Sequence, residues 1–493
     1  MQRRSGGARI DRGRGVPRFP AAAAARPGAL RSQPAHQLQA GLMSVRPVPD
    51  PVPWRLPRGT ARAVALLALL ALAPGAPRPA SAALEIEVTS GVRDPVPIAI
   101  VPFAPSAPAD GGLDVAAVVQ HDLEGSGRFR ALTRARMPAT PTRADEIAAG
   151  SWKGAGSDYV VVGRVSAHPS GELAVDFDLV NALTGARLAT QRFVGAPSAL
   201  RNAAHRVSDV VYQKILGVRG AFATRIAYVA VEGAAPEQHF QLIVADADGA
   251  NQHLVLESRF PLMSPAWSPD GQYLAYVSFE TKHSGVYVQR VKSGERRQVS
   301  ARAGVNGAPE WSPDGRKLAL TLGGGGGNPD IYILDLTTQD LMRITDDPAI
   351  DTEPVWAPDG RSLYFTSDRA GSPQVYQINA QPGAHPKRIT FGGTYNARPR
   401  VSPDGTQLAM VSLDNAAYRI AVQDLSSGAV RVLSHGRLDE SPSFAPNGAT
   451  LIYSERDGER GVLATVSIDG LTGLRLKAPQ GEVREPAWGP FSP

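Results

Sequence analysis

The residue types that most often perform chemistry are scarce in this chain of 493 residues, or lie in patterns that catalytic sites do not use. There is no cysteine, so disulfides, thiolate nucleophiles and cysteine-based zinc or iron–sulfur sites are excluded. The nine histidines are scattered, and none belongs to an H-E-x-x-H or similar metal-binding spacing. A serine hydrolase would need a G-x-S-x-G turn, which the sequence lacks. The sequence therefore assigns no catalytic residue, no metal ligand and no cofactor, and we expect a protein that is not an enzyme.

Four features come closest to a functional motif, and each has a structural interpretation. The glycine run at residues 323–327 is not followed by Lys and Ser or Thr, so it predicts a hairpin rather than a phosphate-binding loop. The sequence DADG at residues 246–249 has acids typical of a calcium loop but lacks the distal glutamate, and it predicts a hairpin turn. His121 and His205 fall in predicted helices, where we expect them to pack or to face solvent.

The positive charge of the chain is concentrated at its N-terminus. The formal net charge is +6. Residues 1–82 carry thirteen arginines against two acids, Asp11 and Asp50, which leaves the remaining chain at −5. Because the remaining chain has no cluster of lysine or arginine interleaved with aromatic residues, the sequence argues against binding to nucleic acid.

Residues 1–82 have the organisation of a leader that contains a signal peptide. Arginines precede an apolar run over residues 63–74, and small residues then fit a cleavage site between Ala82 and Ala83. The run is shorter than the roughly 20 apolar residues that span a bilayer, so it predicts export rather than membrane insertion.

The apolar run begins unusually late for a chain that starts at Met1. Residues 1–42 consist mainly of Arg, Ala, Pro and Gly, with little that could pack. We hypothesise that Met43 is the true initiator. N-terminal sequencing of the unprocessed precursor would distinguish the two starts.

The motif W-S-P-D-G recurs through the second half of the chain in intact and degraded forms. Its prolines stand at residues 269, 313, 358, 403, 446 and 490. The successive spacings are 44, 45, 45, 43 and 44. A fixed period in the forties predicts a solenoid or a propeller.

Each repeat has the pattern of a small antiparallel sheet. In S-P-D-G, Pro sets the second turn position and Gly accepts a positive φ at the end, so the motif predicts a type I turn between two strands. An alternating apolar strand follows, such as YLAYVS at residues 273–278 or SLYFTS at 362–367, and two further strands complete the unit. Four strands in a repeat of this length match one propeller blade.

The two ends of the repeat region complete each other. Five full units precede the C-terminus, whereas residues 225–256 have the pattern of strands two to four without a first. Residues 485–493 have the pattern of a first strand and turn without successors. We therefore predict a six-bladed propeller over residues 219–493, closed by pairing the C-terminal strand with residues 226–231, which removes open sheet edges.

The segment before the propeller predicts a small α/β domain over residues 83–218. Its predicted elements are two early strands, helices at residues 114–127, 144–152 and 198–217, and a meander of strands at 159–168, 173–182 and 186–195. Ser198 is the predicted N-cap of the last helix, and Gly217 its predicted end.

The chain resembles the TolB family of the Tol–Pal system. The resemblance rests on PLMSPAWSPDGQYLAYVSFE, DTEPVWAPDGRSLYFTSDRAGSPQVY, LDESPSFAPNG, the linker GVRGAFATRIAYV, and the order of signal peptide, small domain and propeller. It covers roughly residues 83–491. The chain departs from the family pattern in its N-terminal extension (residues 1–42), in the glycine run at 323–327 and in the residue before Pro490.

The resemblance implies a non-enzymatic adaptor in the periplasm. In the family, the propeller binds the peptidoglycan-associated lipoprotein Pal, and the mature N-terminus binds the C-terminal domain of the inner-membrane protein TolA. Together these contacts support outer-membrane integrity and envelope constriction during cell division. Some group A colicins use the Pal site of the family for import.

The candidate Pal site is the mouth of the propeller channel. Residues that precede each Pro-x-aromatic motif lead into the innermost strands, so we expect them to face one opening. The mixture of apolar, acidic and arginine side chains there is typical of an interface. Thr352 and Ala308 match family positions implicated at the Pal surface. The predicted Pal-binding residues are Met263, Ser264, Asn306, Ala308, Thr352, Glu353, Arg398, Glu440, Ser441 and Glu485.

The candidate TolA site is the mature N-terminus, ALEIEVTSGV at residues 83–92. Its alternating pattern suits a strand that adds to the sheet edge of a partner. The resemblance implies TolA as that partner, and the predicted residues are Ala83, Leu84, Glu85, Ile86, Glu87 and Val88. If this segment exchanges between docking on its own chain and extending, Pal binding would control its release.

Two other classes of protein stay open on the sequence. Propellers of this type cap serine peptidases, although only three residues follow the last repeat proline here. A lectin-like propeller would bind a glycan, which a glycan array would detect, whereas a pull-down with Pal would detect the adaptor. We expect a monomer that does not insert into a membrane.

Overall fold

The computed structural model describes residues 84–104, 113–148, 150–234, 236–324, 328–477 and 481–492, which belong to one compact unit, Arg78–Pro493. The predicted leader, with the cleavage residues Ala82 and Ala83 and the alternative initiator Met43, lies outside the described residues. In the described part of the chain, no helix has the length and apolar character needed to cross a membrane.

The first structured region combines strands and helices. Its elements are β1 (Glu85–Ser90), β2 (Val96–Ile100), α1 (Val115–Gly125), β3 (Phe129–Ala131), α2 (Ser151–Gly154), β4 (Tyr159–Ala167), β5 (Leu173–Asn181), β6 (Arg187–Gly195) and α3 (Leu200–Leu216). Strands β2 to β6 form one sheet in the order β3-β2-β4-β5-β6, with β2 parallel to β3 and β4 and the remaining pairs antiparallel. Helices α1 and α3 cover one face through buried residues such as Leu123 and Val207. This confirms the predicted small α/β region.

The capping residues expected from sequence occur at two helix ends, whereas two predictions about the helices were wrong. Asp114 caps α1, because its side chain accepts a hydrogen bond from the amide of Ala117 at 3.0 Å. Gly217 ends α3 with a φ of 80°, as predicted. The predicted cap Ser198 is wrong: it lies inside a 3-10 turn, Pro197–Ala199, which starts the helix without a side-chain cap. The predicted helix at 144–152 is wrong over most of its length, which holds only a 3-10 turn and the start of α2.

The second region is a ring of six antiparallel sheets. Blade I contains β30 (Glu482–Trp488), β7 (Arg225–Glu232), β8 (His239–Asp246) and β9 (His253–Ser258). Blade II contains β10 (Leu262–Trp267), β11 (Tyr273–Ser278), β12 (Gly285–Arg290) and β13 (Arg296–Ser300). Blade III contains β14 (Val305–Trp311), β15 (Lys317–Gly323), β16 (Asp330–Asp335) and β17 (Leu341–Arg343). Blade IV contains β18 (Asp351–Trp356), β19 (Ser362–Ser367), β20 (Gln374–Asn379) and β21 (Lys387–Arg388).

The last two blades complete the ring. Blade V contains β22 (Asn396–Val401), β23 (Gln407–Asp414), β24 (Ala417–Asp424) and β25 (Val430–Val432). Blade VI contains β26 (Asp439–Phe444), β27 (Thr450–Asp457), β28 (Arg460–Ser467) and β29 (Gly473–Lys477). The prediction of six blades is confirmed.

Blade I closes the ring as the sequence predicts. The C-terminal strand β30 pairs antiparallel with β7, with Ala487 opposite Ala227 and Trp488 opposite Ile226. Pro490 then takes the place of a repeat proline. Its ring lies over Gly271, where an added Cβ would be 3.3 Å from the Cγ of Pro490. The ring of Pro269 lies over Gly315 in the same way, where an added Cβ would be 3.6 Å from the Cδ of Pro269. The two ends of the repeat region therefore supply one blade in the register of the other five.

The S-P-D-G turn is held by hydrogen bonds within the motif, as blade II shows. In blade II, the amide of Gly271 donates to the Ser268 carbonyl at 2.9 Å, and Gly271 has a φ of 66°. The Ser268 hydroxyl donates to Asp270 at 2.6 Å and accepts from the amide of Tyr273 at 2.9 Å. The turn predicted from the sequence is confirmed. The tryptophan before it joins neighbouring blades, since Nε1 of Trp267 donates to the carbonyl of Ala487 at 3.1 Å.

The α/β region lies on the side of the propeller that carries the S-P-D-G turns, which we call the turn face. Arg128 forms a 2.6 Å ion pair with Asp469 in a turn of blade VI. Asn447, in another turn of blade VI, donates to the carbonyl of Arg219 at 2.9 Å. The connectors between successive blades lie at the opposite end, which we call the mouth face. Both of these contacts between described residues of the α/β region and the propeller lie on the turn face.

A buried aspartate in blade VI predicts how stability depends on pH. Burial is the main cause that raises the pKa of Asp439 to about 6, against an ordinary value of 3.8. The folded state thus binds this proton more tightly than the unfolded state, so this group adds stability as pH falls from about 7 to about 4. Asn306 and Asn396 occupy the equivalent position in blades III and V.

Replacement of Asp439 by Asn is expected to stabilise the protein at pH 7.5 by an amount on the order of 2 kcal/mol, because it removes a buried charge. The gain should shrink toward zero at pH 4.5. Urea unfolding of both proteins across this range is the measurement. A variant less stable than the wild type at pH 7.5 would contradict the assignment.

Candidate functional site at the channel mouth

The innermost strand of every blade contains a residue in the left-handed region immediately before its proline. These residues, which we call the bulge ring, are Ser264 (φ 50°), Ala308 (44°), Glu353 (56°), Arg398 (53°), Ser441 (53°) and Glu485 (54°). Each lies at a break in strand register, such as the one between Met263 and Ala266 in blade II. A positive φ is unfavourable for a residue with a Cβ atom, so the surroundings must hold the bulge.

Hydroxyl groups of the preceding blade help to hold three of these bulges. A bulge leaves a backbone amide without its partner in the ladder. The amide of Glu353 donates to the hydroxyl of Thr321 at 3.1 Å, and that of Arg398 to the hydroxyl of Thr366 at 3.0 Å. The amide of Glu485 donates to Ser454 in the same way, at 3.0 Å. Each of these three bulges is thus fixed by a contact between blades.

Arg398 links the side chains of the bulge ring. Its Nε lies 2.9 Å from Glu353 Oε1, and its Nη1 lies 3.7 Å from Glu485 Oε1 and donates to the hydroxyl of Ser441. Burial opposes the charge of Arg398, but Glu485, Glu353 and Glu440 outweigh it and raise the pKa of the guanidinium above its ordinary value. One permanent cation therefore lies among three acids.

Exposed apolar side chains surround this charged centre on the mouth face. They belong to the connectors or to the first residue of an innermost strand, and they are Phe260, Val305, Ile350 and Phe391. Phe391 is 74% exposed, and the guanidinium of Arg388 lies 5.3 Å from its ring centroid. Exposed aromatic groups next to a polar centre are typical of a protein-binding surface.

The predicted site residues are largely brought together, with two corrections. All six members of the bulge ring were among them, and Met263, Thr352 and Glu440 are partly exposed on the same strands. Ser441 is buried at 7% exposure, and its hydroxyl accepts a hydrogen bond from Arg398. Asn306, however, is 1% exposed. Its amide group donates to the carbonyl of Arg302 at 2.7 Å and accepts from the hydroxyl of Ser300 at 2.6 Å, so it holds a connector rather than facing a partner. The innermost strands begin about three residues earlier than predicted, which places these side chains inside strands.

The sequence interpretation missed two groups of residues at the mouth. Thr321, Thr366 and Ser454 occupy equivalent positions on the second strands of their blades, and a comparison of the repeats would have found them. Phe391 and Ile350 lie outside the repeated motif, so the period carries no information about them.

Relief of the bulge strain can be measured at Ala308, the smallest side chain of the ring. Ala308→Gly is expected to stabilise the protein by about 1 kcal/mol, because glycine adopts a positive φ without steric cost. Ala397→Gly serves as the control: this residue lies on an innermost strand at negative φ and is 2% exposed, so its loss should destabilise. Thermal unfolding compares the two. Destabilisation of equal size in both variants would show that the bulge stores no strain.

The candidate N-terminal site is docked on the propeller. Strand β1 pairs antiparallel with β29, with Glu87 opposite Arg475 and Val88 opposite Leu474, and it makes blade VI five-stranded. Leu84 is buried between blades I and VI against residues that include Tyr228 and Leu476. Of the other predicted residues, Val88 is 54% exposed, and Ala83 lies outside the described residues.

The fold and the mouth define a class of protein: a six-bladed β-propeller with an α/β domain on one face and a candidate binding surface on the other. Comparison with known proteins narrows the class. The family model for the TolB amino-terminal domain matches residues 84–188, and that for the TolB beta propeller domain matches residues 212–492. The chain belongs to the TolB family, as the sequence resemblance indicated.

Individual relatives agree with this assignment. The chain is 45% identical over 414 residues to the Tol-Pal system protein TolB of Xanthomonas campestris pv. campestris (strain B100), covering 83% of this chain and 93% of the relative. The TolB protein of Xanthomonas oryzae pv. oryzae (strain PXO99A) gives the same identity and coverage. The crystal structure of TolB from Acinetobacter baumannii matches with a TM-score of 0.76 and 40% identity, covering 83% of this chain and 100% of that one.

Proposed function

We propose that this protein is a non-enzymatic adaptor of the Tol–Pal system in the periplasm, and that its channel mouth binds the lipoprotein Pal. The observation that supports the proposal is the arrangement of charged and apolar side chains at the mouth. A fixed charged centre around Arg398 is surrounded by exposed apolar groups, on the face opposite the contacts with the α/β domain. Family membership supports Pal as the partner.

The proposed Pal contacts are the mouth residues that the sequence predicted, without the buried Asn306. They are Met263, Ser264, Ala308, Thr352, Glu353, Arg398, Glu440 and Glu485, joined by the apolar residues around them, whereas the buried Ser441 would act by holding Arg398 in place. The ion pairs hold the charged side chains in place before binding, so association loses less conformational entropy. Group A colicins would compete for the same surface. Through Pal, the adaptor would support outer-membrane integrity and envelope constriction in division.

Titration calorimetry with purified Pal tests this proposal. Phe391→Asp places a charge on the most exposed aromatic group of the mouth and should weaken Pal binding at least about tenfold, the size of a modest hot spot. Thr338→Asp is the matched control, because Thr338 is exposed in a hairpin of blade III on the turn face. Equal weakening by both substitutions, or by neither, would reject the mouth as the Pal site.

The second part of the proposal concerns TolA, which would bind the mature N-terminus. In the present structure the backbone of β1 already pairs with β29. The backbone groups of β1 that bond to β29 cannot pair with a second sheet at the same time. To bind TolA, β1 must therefore either leave blade VI or pair through its other edge. If Pal binding shifts the docking equilibrium of β1, the two partners are coupled. Equal TolA affinities with and without Pal would reject the coupling.

A substitution on the propeller tests the docking without altering the TolA-binding segment. Gly249 has a φ of 81°, and an added Cβ would lie 2.9 Å from the Cβ of Leu84. Gly249→Ala is therefore expected to expel Leu84, to release β1 and to strengthen TolA binding about tenfold. Gly294 is the matched control, since it has a φ of 73° in the equivalent turn of blade II and open space around it. Equal TolA affinities of the Gly249→Ala and Gly294→Ala variants would show that docking of β1 on blade VI does not oppose TolA binding.

A further inference from the structure

A cluster of charged residues joins the α/β domain to blade I. We call it the junction cluster, and it consists of Asp122 on α1, Arg201 and His205 on α3, and Asp246 and Asp248 at the turn after β8. The turn is the DADG sequence, which forms the predicted hairpin. The sequence pattern indicates no common role for these residues, because they are far apart along the chain.

His205 is held in one orientation by its α1 neighbour. Its Nδ1 lies 2.8 Å from Asp122 Oδ2, and the hydroxyl of Ser208 donates to the same oxygen at 2.6 Å. His205 is 1% exposed and Asp122 is 4% exposed. A carboxylate that binds one ring nitrogen of a buried histidine and points the other toward further carboxylates is the usual outer-sphere arrangement of a metal-binding histidine.

The second ring nitrogen lacks a hydrogen bond. Nε2 of His205 is buried without a hydrogen-bond partner, and it points at Asp246, whose Oδ2 lies 3.7 Å away. Ligand atoms of Asp122, His205 and Asp248 all lie within 4.8 Å of one another. A separation of 3.7 Å is too long for a hydrogen bond, but it suits two ligands that each lie about 2.0–2.2 Å from a shared ion.

We propose that the junction cluster binds one divalent transition-metal ion of the zinc class, with Nε2 of His205 and the carboxylates of Asp246 and Asp248 as ligands. One imidazole and two carboxylates form a donor set that such ions accept, whereas calcium and magnesium prefer oxygen ligands alone. The ion displaces any proton on Nε2. This inference goes beyond the proposed adaptor function and does not depend on it.

Arg201 competes with the proposed ion for the carboxylates of Asp246 and Asp248. Its Nε donates to Asp246 Oδ2 at 3.2 Å, and its Nη2 pairs with Asp248. The guanidinium neutralises the two proposed carboxylate ligands in the present structure, so it must turn away when the ion binds. Asp122 and Asp248 line a solvent-open pocket between the α/β region and the propeller, so an ion from solvent can reach this edge of the junction cluster. A bound ion would join the α/β domain to the turn that contacts Leu84 through Gly249.

Equilibrium dialysis of the tag-free mature protein against Zn²⁺, read by elemental analysis, tests the proposal. The wild type should retain one ion per chain. His205→Gln should lower the affinity at least tenfold, and Asp122→Asn should lower it about 10- to 100-fold through loss of ring orientation. Arg201→Met should raise the affinity, because it removes the competing cation. His121→Gln should behave as the wild type, since His121 lines the same cavity outside the cluster.

These outcomes separate a metal site from a purely ionic junction. Opposite effects of His205→Gln and Arg201→Met support the proposal, and they cannot both arise from a general loss of structure. Equal Zn²⁺ uptake by the wild type and His205→Gln would overturn it, as would absence of a stoichiometric ion from the wild type. Thermal unfolding of each variant without metal identifies any that fail to fold, and for those the Arg201→Met measurement decides.

Discussion

Arg398→Glu is expected to abolish measurable Pal binding and to lower the free energy of unfolding by about 3 kcal/mol. The guanidinium contacts Glu353 and Glu485, and it donates to Ser441, so it connects blades IV, V, VI and I around the channel. The variant would place a fourth acid beside three others with no cation among them. Because the amide and hydroxyl contacts of the bulges depend on the same packing, the mouth should lose its shape as well as its charge.

Urea unfolding and calorimetry with Pal measure the two effects separately. Arg398→Lys retains the positive charge but lacks the planar guanidinium group. Its Pal affinity and its free energy of unfolding should therefore lie between those of Arg398→Glu and the wild type. Arg316→Glu makes the same charge change at an exposed site on the turn face and should alter neither property by more than about 0.5 kcal/mol. Wild-type Pal affinity in Arg398→Glu would contradict the proposed role of the charged centre.

Truncation after Gly481 is expected to have the largest effect on stability, because it removes β30 and opens the ring. Strand β7, eight residues long, would become an unpaired inner edge. Trp267 would lose the acceptor of its Nε1 hydrogen bond, the carbonyl of Ala487. The buried side chain of Val483 would also leave the core between blades I and VI. We expect a chain that aggregates or that unfolds without a cooperative transition.

Truncation after Pro490 is the control, since it keeps β30 and the contact between Pro490 and Gly271. Differential scanning calorimetry of both chains gives the comparison. The shorter truncation should keep a transition close to that of the full chain. A cooperative transition of unchanged enthalpy after removal of β30 would show that closure does not hold the propeller together.

The propeller could be predicted because the sequence motif that forms each turn is short and recurs in every blade. Each S-P-D-G turn needs a proline, a short acid and a glycine at a positive φ, and Gly271, Gly315 and Gly360 supply that φ as expected. The period then gives the number of blades. The incomplete repeats at residues 225–256 and 485–493 predicted the closure, because each lacks the strands that the other has.

The parts that the sequence did not predict depend on contacts between distant residues. The bulge ring has φ values that the residue types before proline do not favour, and the contacts between blades impose them. Asn306 was grouped with the mouth by its position, but its amide finds partners within its own connector. His205 meets Asp246 only after the α/β domain packs on blade I. The docking of β1 depends on the edge of blade VI, which the pattern of β1 itself does not reveal.

Site-specific photocrosslinking to Pal tests most directly whether the mouth face is the binding surface. A photoreactive residue at Thr352 lies on the innermost strand of blade IV beside the charged centre, whereas one at Thr338 lies on the turn face. The proposed function predicts crosslinks to Pal from Thr352 and none from Thr338. Crosslinks from Thr338 without any from Thr352 would place Pal on the opposite face and would contradict the central claim.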